Sequence, residues 1–207
     1  MTTKTDPFTT AENPLGAVKG FWSTVTAAGL RDFNPGARAS TGATQDNVSM
    51  WRLSDYTFGA DHTSQIIVGV LGNGDWPGAA VRLSSAGGGQ GYIAYVRKEI
   101  NAISLYKLTA GTVGIAGNYL VNYGSLTLAS GDTVELNVSG TTLTTNHNGT
   151  TLGTYTDNSY TTGQPGVAYE DGNVNASVIT SWTGVDAVGG VNIPALVSYL
   201  NRRRRCC

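Results

Sequence analysis

Apolar and polar positions alternate in short runs along most of the chain. Residues 133–139 are the cleanest case: Val134, Leu136 and Val138 fall on one side, Glu135 and Asn137 on the other. A period of two belongs to a strand with one buried face. Residues 48–53 alternate in the same way. Residues 64–71 (Ser-Gln-Ile-Ile-Val-Gly-Val-Leu) form a nearly continuous apolar run, which suits a central buried strand. Shorter β-branched or aromatic runs recur at 21–26, 79–83, 91–97, 103–108 and 177–182. Asn148-Gly149 separates the runs 142–147 and 150–155. A type I′ hairpin turn needs positive φ twice, and Asn-Gly supplies it. Gly87-Gly88-Gly89 reads as a second hairpin connection. The spacing predicts about 11–13 strands, arranged as a sandwich or barrel.

One stretch has helical character. Residues 194–201 (Pro-Ala-Leu-Val-Ser-Tyr-Leu-Asn) make about two turns, with Pro194 at the first. Pro7, Pro14 and Gly16 interrupt regular structure near the start. The chain therefore divides into an N-terminal segment (1–20) leading to the first strand, a β-sandwich (21–184), and a C-terminal appendage (185–207).

Composition narrows the class. Charged residues are 13% of the 207, where about 25% is usual. Glycine (28) and threonine (27) supply much of what is missing. A helical protein would be richer in Ala, Leu, Glu and Lys, and a disordered one would carry more net charge than −1. Arg202, Arg203, Arg204 and Arg205 hold four of the 13 basic residues, so the remaining body sits near −5. A body of that sign disfavours nucleic acid as a partner. The basic tip reads either as a solvated end or as a docking and oligomerisation element, with Tyr199 and the four arginines as its contact residues. No apolar run is long enough for a membrane span, and the opening residues lack the apolar core of an export signal. Cys206 and Cys207 are adjacent at the terminus and cannot staple a fold.

Catalytic patterns are sparse. The glutamates Glu12, Glu99, Glu135 and Glu170 do not share one strand face at the short spacing that glycoside hydrolysis favours. Glu170-Asp171 reads as a turn. His62 and His147 read as turn or surface residues, and their number and spacing do not suit zinc. The expectation is a protein that is not an enzyme and needs no cofactor. A structural Ca²⁺ held by loop aspartates among Asp55, Asp61, Asp75, Asp157, Asp171 and Asp186 is the open alternative to plain turn formation. Sugar binding calls for an exposed ring beside Asn or Asp. Trp76 stands in Gly-Asn-Gly-Asp-Trp-Pro-Gly, a loop suited to presenting its ring. With Asp75, Asn73, Tyr56 and Tyr123 it forms the candidate glycan site.

Several segments in order carry a family resemblance. They are Asp6-Pro-Phe-Thr-Thr-Ala-Glu-Asn-Pro-Leu-Gly with Trp22, then Pro77-Gly-Ala-Ala-Val-Arg-Leu, Gly91-Tyr-Ile-Ala-Tyr-Val-Arg and Gly131-Asp-Thr-Val-Glu-Leu-Asn-Val. Gly163-Gln-Pro-Gly-Val-Ala-Tyr and Val178-Ile-Thr-Ser-Trp-Thr-Gly follow. The chain resembles, over roughly 6–184, the concanavalin A-like (laminin-G-like) lectin and glucanase jelly rolls, of the kind found in tailed-phage structural proteins. Thr10, where Arg is usual, and the late position of Trp22 depart from that pattern. The resemblance implies an all-β fold: a two-sheet antiparallel jelly-roll sandwich with a short helical or extended C-terminal tail. It also implies a non-enzymatic virion structural protein, a capsid decoration or fibre subunit. Such a protein would assemble with itself or other virion proteins, touch cell-surface glycans, and reach the outside by lysis. A stand-alone carbohydrate-binding module is the alternative, and a glycan-active hydrolase or lyase the third reading.

Overall fold

The computed structural model describes residues 1–26, 29–32, 36–39, 46–51, 56–171 and 176–187. Tyr199, Arg202–Arg205 and the expected C-terminal helix lie outside them. Fifteen strands run in chain order: β1 (Thr2–Asp6), β2 (Trp22–Thr26), β3 (Leu30–Asp32), β4 (Ala37–Ala39), β5 (Asp46–Trp51), β6 (His62–Val70), β7 (Asp75–Ser84), β8 (Gln90–Arg97), β9 (Ala102–Leu108), β10 (Tyr119–Tyr123), β11 (Thr133–Ser139), β12 (Thr142–His147), β13 (Thr150–Thr156), β14 (Gln164–Asp171) and β15 (Val178–Asp186). Two 3₁₀ turns, Ala86–Gly88 and Lys98–Ile100, are the helical turns among the described residues.

The strands form two antiparallel sheets. One has the order β13-β12-β11-β6-β15-β4-β3, with β1 also paired to β15; the other has the order β10-β9-β8-β7-β14-β5-β2. This is the expected two-sheet jelly-roll sandwich. The alternating strand β11 buries Val134, Leu136 and Val138, as its pattern requires. β6 is central in its sheet, between β11 and β15. Asn148 (φ 49°) and Gly149 (φ 75°) both turn left-handed between β12 and β13. β1 is a correction: residues 2–6 pair with β15 from Thr2↔Asp186 to Asp6↔Trp182, ahead of the first breaker, Pro7.

Aromatic rings fill one end of the space between the sheets. Trp182 lies 5.1 Å from Trp51 in a stacked pair and 4.8 Å edge-on from Trp22. The N-terminal segment closes this end and buries Phe8 and Leu15. Polar groups tie the segment down as well: Asp6 accepts from Trp22 Nε1 at 2.8 Å, and Lys19 bridges Asp6 (2.7 Å) and Asp32 (3.1 Å). A buried carboxylate so placed needs both partners, because an unpaired charge there would be strongly destabilising.

A second apolar cluster lies on the outer face of the β10-to-β2 sheet. It contains Val48, Met50, Ala80, Ile93, Tyr95, Tyr106, Val113 and Ala168. The segment between β9 and β10 folds over this face, and that cover creates the site described next.

Candidate functional site

Parity places the site residues. In β7, Ala79 and Val81 face the other sheet, so Trp76, Gly78 and Ala80 face outward. In β8, Tyr92, Ala94 and Val96 face inward, which turns Ile93, Tyr95 and Arg97 outward. Tyr106 on β9, Glu170 on β14 and Asp46 on β5 join them by register: Ile93 pairs Tyr106, and Glu170 pairs both Trp76 and Asp46. Gly78 makes room for this packing, since a Cβ there would stand 2.8 Å from the Tyr95 ring.

The result is a cavity of about 600 Å³. Trp76, Tyr106, Asp46, Glu170 and Thr26 line it from the sheet, and Gly88 and residues 110–114 line it from the covering loops. Val113 N–H donates to Asp46 Oδ2 at 2.8 Å and ties the cover to the sheet. Trp76 and Tyr106 lie nearly parallel, 6.4 Å apart, and the exposed Tyr119 extends the aromatic row to the edge strand, 5.3 Å from Tyr106. The Arg97 guanidinium stacks 4.0 Å over the Trp76 ring. It also donates to Glu99 at 3.2 Å and to the Tyr106 hydroxyl at 3.3 Å.

The two carboxylates of the cavity differ. Both Asp46 oxygens accept from the protein: Oδ1 from the Tyr95 hydroxyl at 2.8 Å, Oδ2 from Val113. Burial, and then the Asp46 charge, hold the Tyr95 hydroxyl well above its ordinary pKa, so it stays a donor. Glu170 Oε2 is shut from solvent and has no donor among the described residues. Burial, followed by the Asp46 charge, pushes the Glu170 carboxyl up to about 7.

Of the five expected glycan residues, only Trp76 lines this cavity. Asn73 is exposed in the turn before β7. Asp75 is fully buried, accepting from the Tyr169 hydroxyl (2.8 Å) and Ser177 N–H (3.0 Å), because strand parity turns it opposite to Trp76. Tyr56 is buried with its hydroxyl on Asp186 at 2.7 Å. Tyr123 points between the sheets, where a Cβ on Gly153 would meet its ring at 2.6 Å. These three side chains face the interior and do not join Trp76 in one site.

The other site expectations are corrected or relocated. β14 continues through Glu170 as a strand instead of turning there. His62 is buried: Arg82 N–H donates to its Nε2 at 3.0 Å, and Nδ1 lies 2.7 Å from the Gly59 carbonyl. His147 pairs with Asp132 at 2.8 Å beside the hairpin turn. Of the aspartates considered for a cation, Asp61 contacts Arg82 and Gly140, Asp157 contacts Tyr92 and Ser159, and Asp186 contacts Tyr56 and Gly59, while Asp55 and the Asp171 side chain lie outside the described residues. Among the described residues no group of three or more His, Cys, Asp or Glu could hold a metal ion.

No family model matches the chain, and no curated protein matches it in sequence. Solved structures do. The carbohydrate binding module CBM66 from Bacillus subtilis is similar at 17% identity and a TM-score of 0.56, over 80% of this chain and 91% of that one. The Crh5 transglycosylase in complex with NAG is similar at 13% identity and a TM-score of 0.56, over 90% and 85%. The VIP36 exoplasmic/lumenal domain in its Ca²⁺/Man3GlcNAc-bound form is similar at 11% identity and a TM-score of 0.53, over 93% and 94%. At these identities the likeness shows the fold, a two-sheet antiparallel jelly roll, and leaves function to the site.

Proposed function

We propose that this chain is a lectin-like glycan-binding module whose site is the cavity over Trp76 and Tyr106. The observation that carries the reading is the cavity's make-up: two aromatic side chains, two carboxylates and loop backbone around about 600 Å³. The C–H face of a pyranose packs on such rings, and its hydroxyls donate to carboxylates. The fold neighbours named for carbohydrate binding, and those solved with NAG or Man3GlcNAc, support a sugar as the ligand. This support puts the glycan-binding module ahead of the virion structural role that the sequence resemblance implied. We read the site as binding rather than cleaving, because both oxygens of Asp46, the second carboxylate of the cavity, are committed to protein donors.

A glycan array followed by calorimetry on the best ligand tests the reading. The expected result is array binding that drops about tenfold or more in Trp76→Ala, the loss of one stacked ring. A folded wild-type protein that retains no glycan, or a Trp76→Ala variant of unchanged affinity, would refute it.

A further inference from the structure

The charge around the cavity is unbalanced. Among the described residues, Glu170, Asp46 and Glu99 stand against one cation, Arg97. That cation is occupied: it stacks on Trp76, bridges Glu99 and donates to Tyr106. No ion pair joins it to Glu170 among the described residues. Asp46 is satisfied by Tyr95 and Val113. Glu170 is the group left over, a carboxylate on the cavity wall that no hydrogen bond or ion pair among the described residues engages. Such a group favours a ligand that brings its own donors and, above all, its own positive charge. The ligand must also fit beside the aromatic rings, where a cation gains from the ring faces as well.

We propose that the cavity selects a glycan bearing a free amine, an amino sugar of the glucosamine type, whose ammonium group pairs with Glu170 while its ring packs on Trp76 and Tyr106. An ammonium offers three donors and a full charge where a neutral hydroxyl offers one donor. It also relieves the repulsion between Glu170 and Asp46, which face each other as register partners. The elevated protonation of Glu170 near neutrality agrees with a carboxylate that lacks its counter-charge. An N-acetylated sugar replaces that charge with a neutral amide, and a uronate or sulfate adds repulsion.

The inference rests on glycan binding at this cavity, and the test separates the two. Calorimetry at pH 7 compares tetramers of glucosamine, N-acetylglucosamine and β-1,4-linked glucose on the full chain. The glucosamine tetramer is expected to bind about tenfold or more tightly than either neutral one, with an advantage that shrinks as salt rises. Glu170→Gln keeps the side chain's shape but removes its charge, and is expected to bring the glucosamine tetramer level with the neutral tetramers within that variant. Equal affinity for the three tetramers, or a preference that survives in Glu170→Gln, overturns the amino-sugar inference and leaves glycan binding standing. Binding to array glycans with none to the glucosamine tetramer overturns it in the same way. Loss of all array binding brings down the glycan-binding reading itself.

Discussion

The buried His62 and the half-buried Glu170 shape the pH response in opposite directions. Burial lowers His62 from 6.5 to about 4, as a neutral ring between Arg82 N–H and the Gly59 carbonyl requires. The unfolded chain then holds the extra proton between pH 6.5 and 4, so this group's contribution is present above 6.5 and is lost as pH falls. Glu170 rises from 4.5 to about 7, so the folded chain holds the extra proton in that window. Its contribution is present below 4.5 and is lost as pH rises. The two slopes overlap and largely cancel in the wild type. Each variant should therefore unmask the other group. Urea titrations are expected to show Glu170→Gln gaining about 2 kcal/mol between pH 4.5 and 6.5, and His62→Gln losing a similar amount between pH 5 and 7. Parallel pH profiles in the two variants would sink this account. At this scale the sequence revealed little. Trp76 was singled out from its glycine-rich surroundings, although it stands on β7 and not in the expected loop. Glu170 was not, because its significant neighbour, Asp46, lies across a strand pair and 124 positions away in the chain. Burial of His62 likewise depends on tertiary packing that adjacent residues do not encode.

Whole strands were readable in proportion to the difference between their two faces. β11 buries one side only, and its alternation gave both type and orientation; β6 also buries every second residue, which its nearly continuous apolar run did not show. β7, β8 and β14 are covered on both sides, so Tyr92 and Tyr95 look equivalent in sequence although one faces the core and the other the cavity side. That is why Tyr95 and Tyr106 escaped notice as cavity-side residues. β1 was hidden by its short length and by Pro7 next to it. The β12–β13 hairpin was the most legible connection, and its two turn residues differ in what they do. Gly149 meets nothing within 4 Å where a Cβ would stand, so Gly149→Ala should cost only the left-handed backbone penalty, about 1 kcal/mol. Asn148 turns left-handed as well, accepts from Thr133 N–H at 2.8 Å and donates to Asp132 at 2.8 Å. Asn148→Ala should therefore cost about 2 kcal/mol or more. Denaturant midpoints that rank the two variants the other way would show that the side-chain contacts of Asn148 contribute nothing.

Across the molecule, the sparse charge gives a surface of strands rich in Thr, Asn and Gly, and for the glycan ligand we propose this favours contact over long-range steering. The order of strands adds a constraint on where the chain can be shortened. The last described strand, β15, is not at an edge: it pairs with β6 on one side and with β1 and β4 on the other. It also delivers Trp182 between Trp22 and Trp51. A chain ended at Ser177 loses this strand, parts β6 from β1 and β4, and removes the central ring of the aromatic cluster. It is expected not to fold. A chain ended at Ala187 keeps every described strand and both apolar clusters, and with them the cavity on the opposite sheet. Its Tm is expected to stay within about 2 °C of the full chain, a stability change below about 1 kcal/mol, and its glycan affinity to be unchanged. Thermal melts and calorimetry on the two shortened chains decide the matter. A large fall in Tm or affinity for the Ala187 chain would mean that residues 188–207, Arg202–Arg205 included, belong to the working sandwich and not to an appendage.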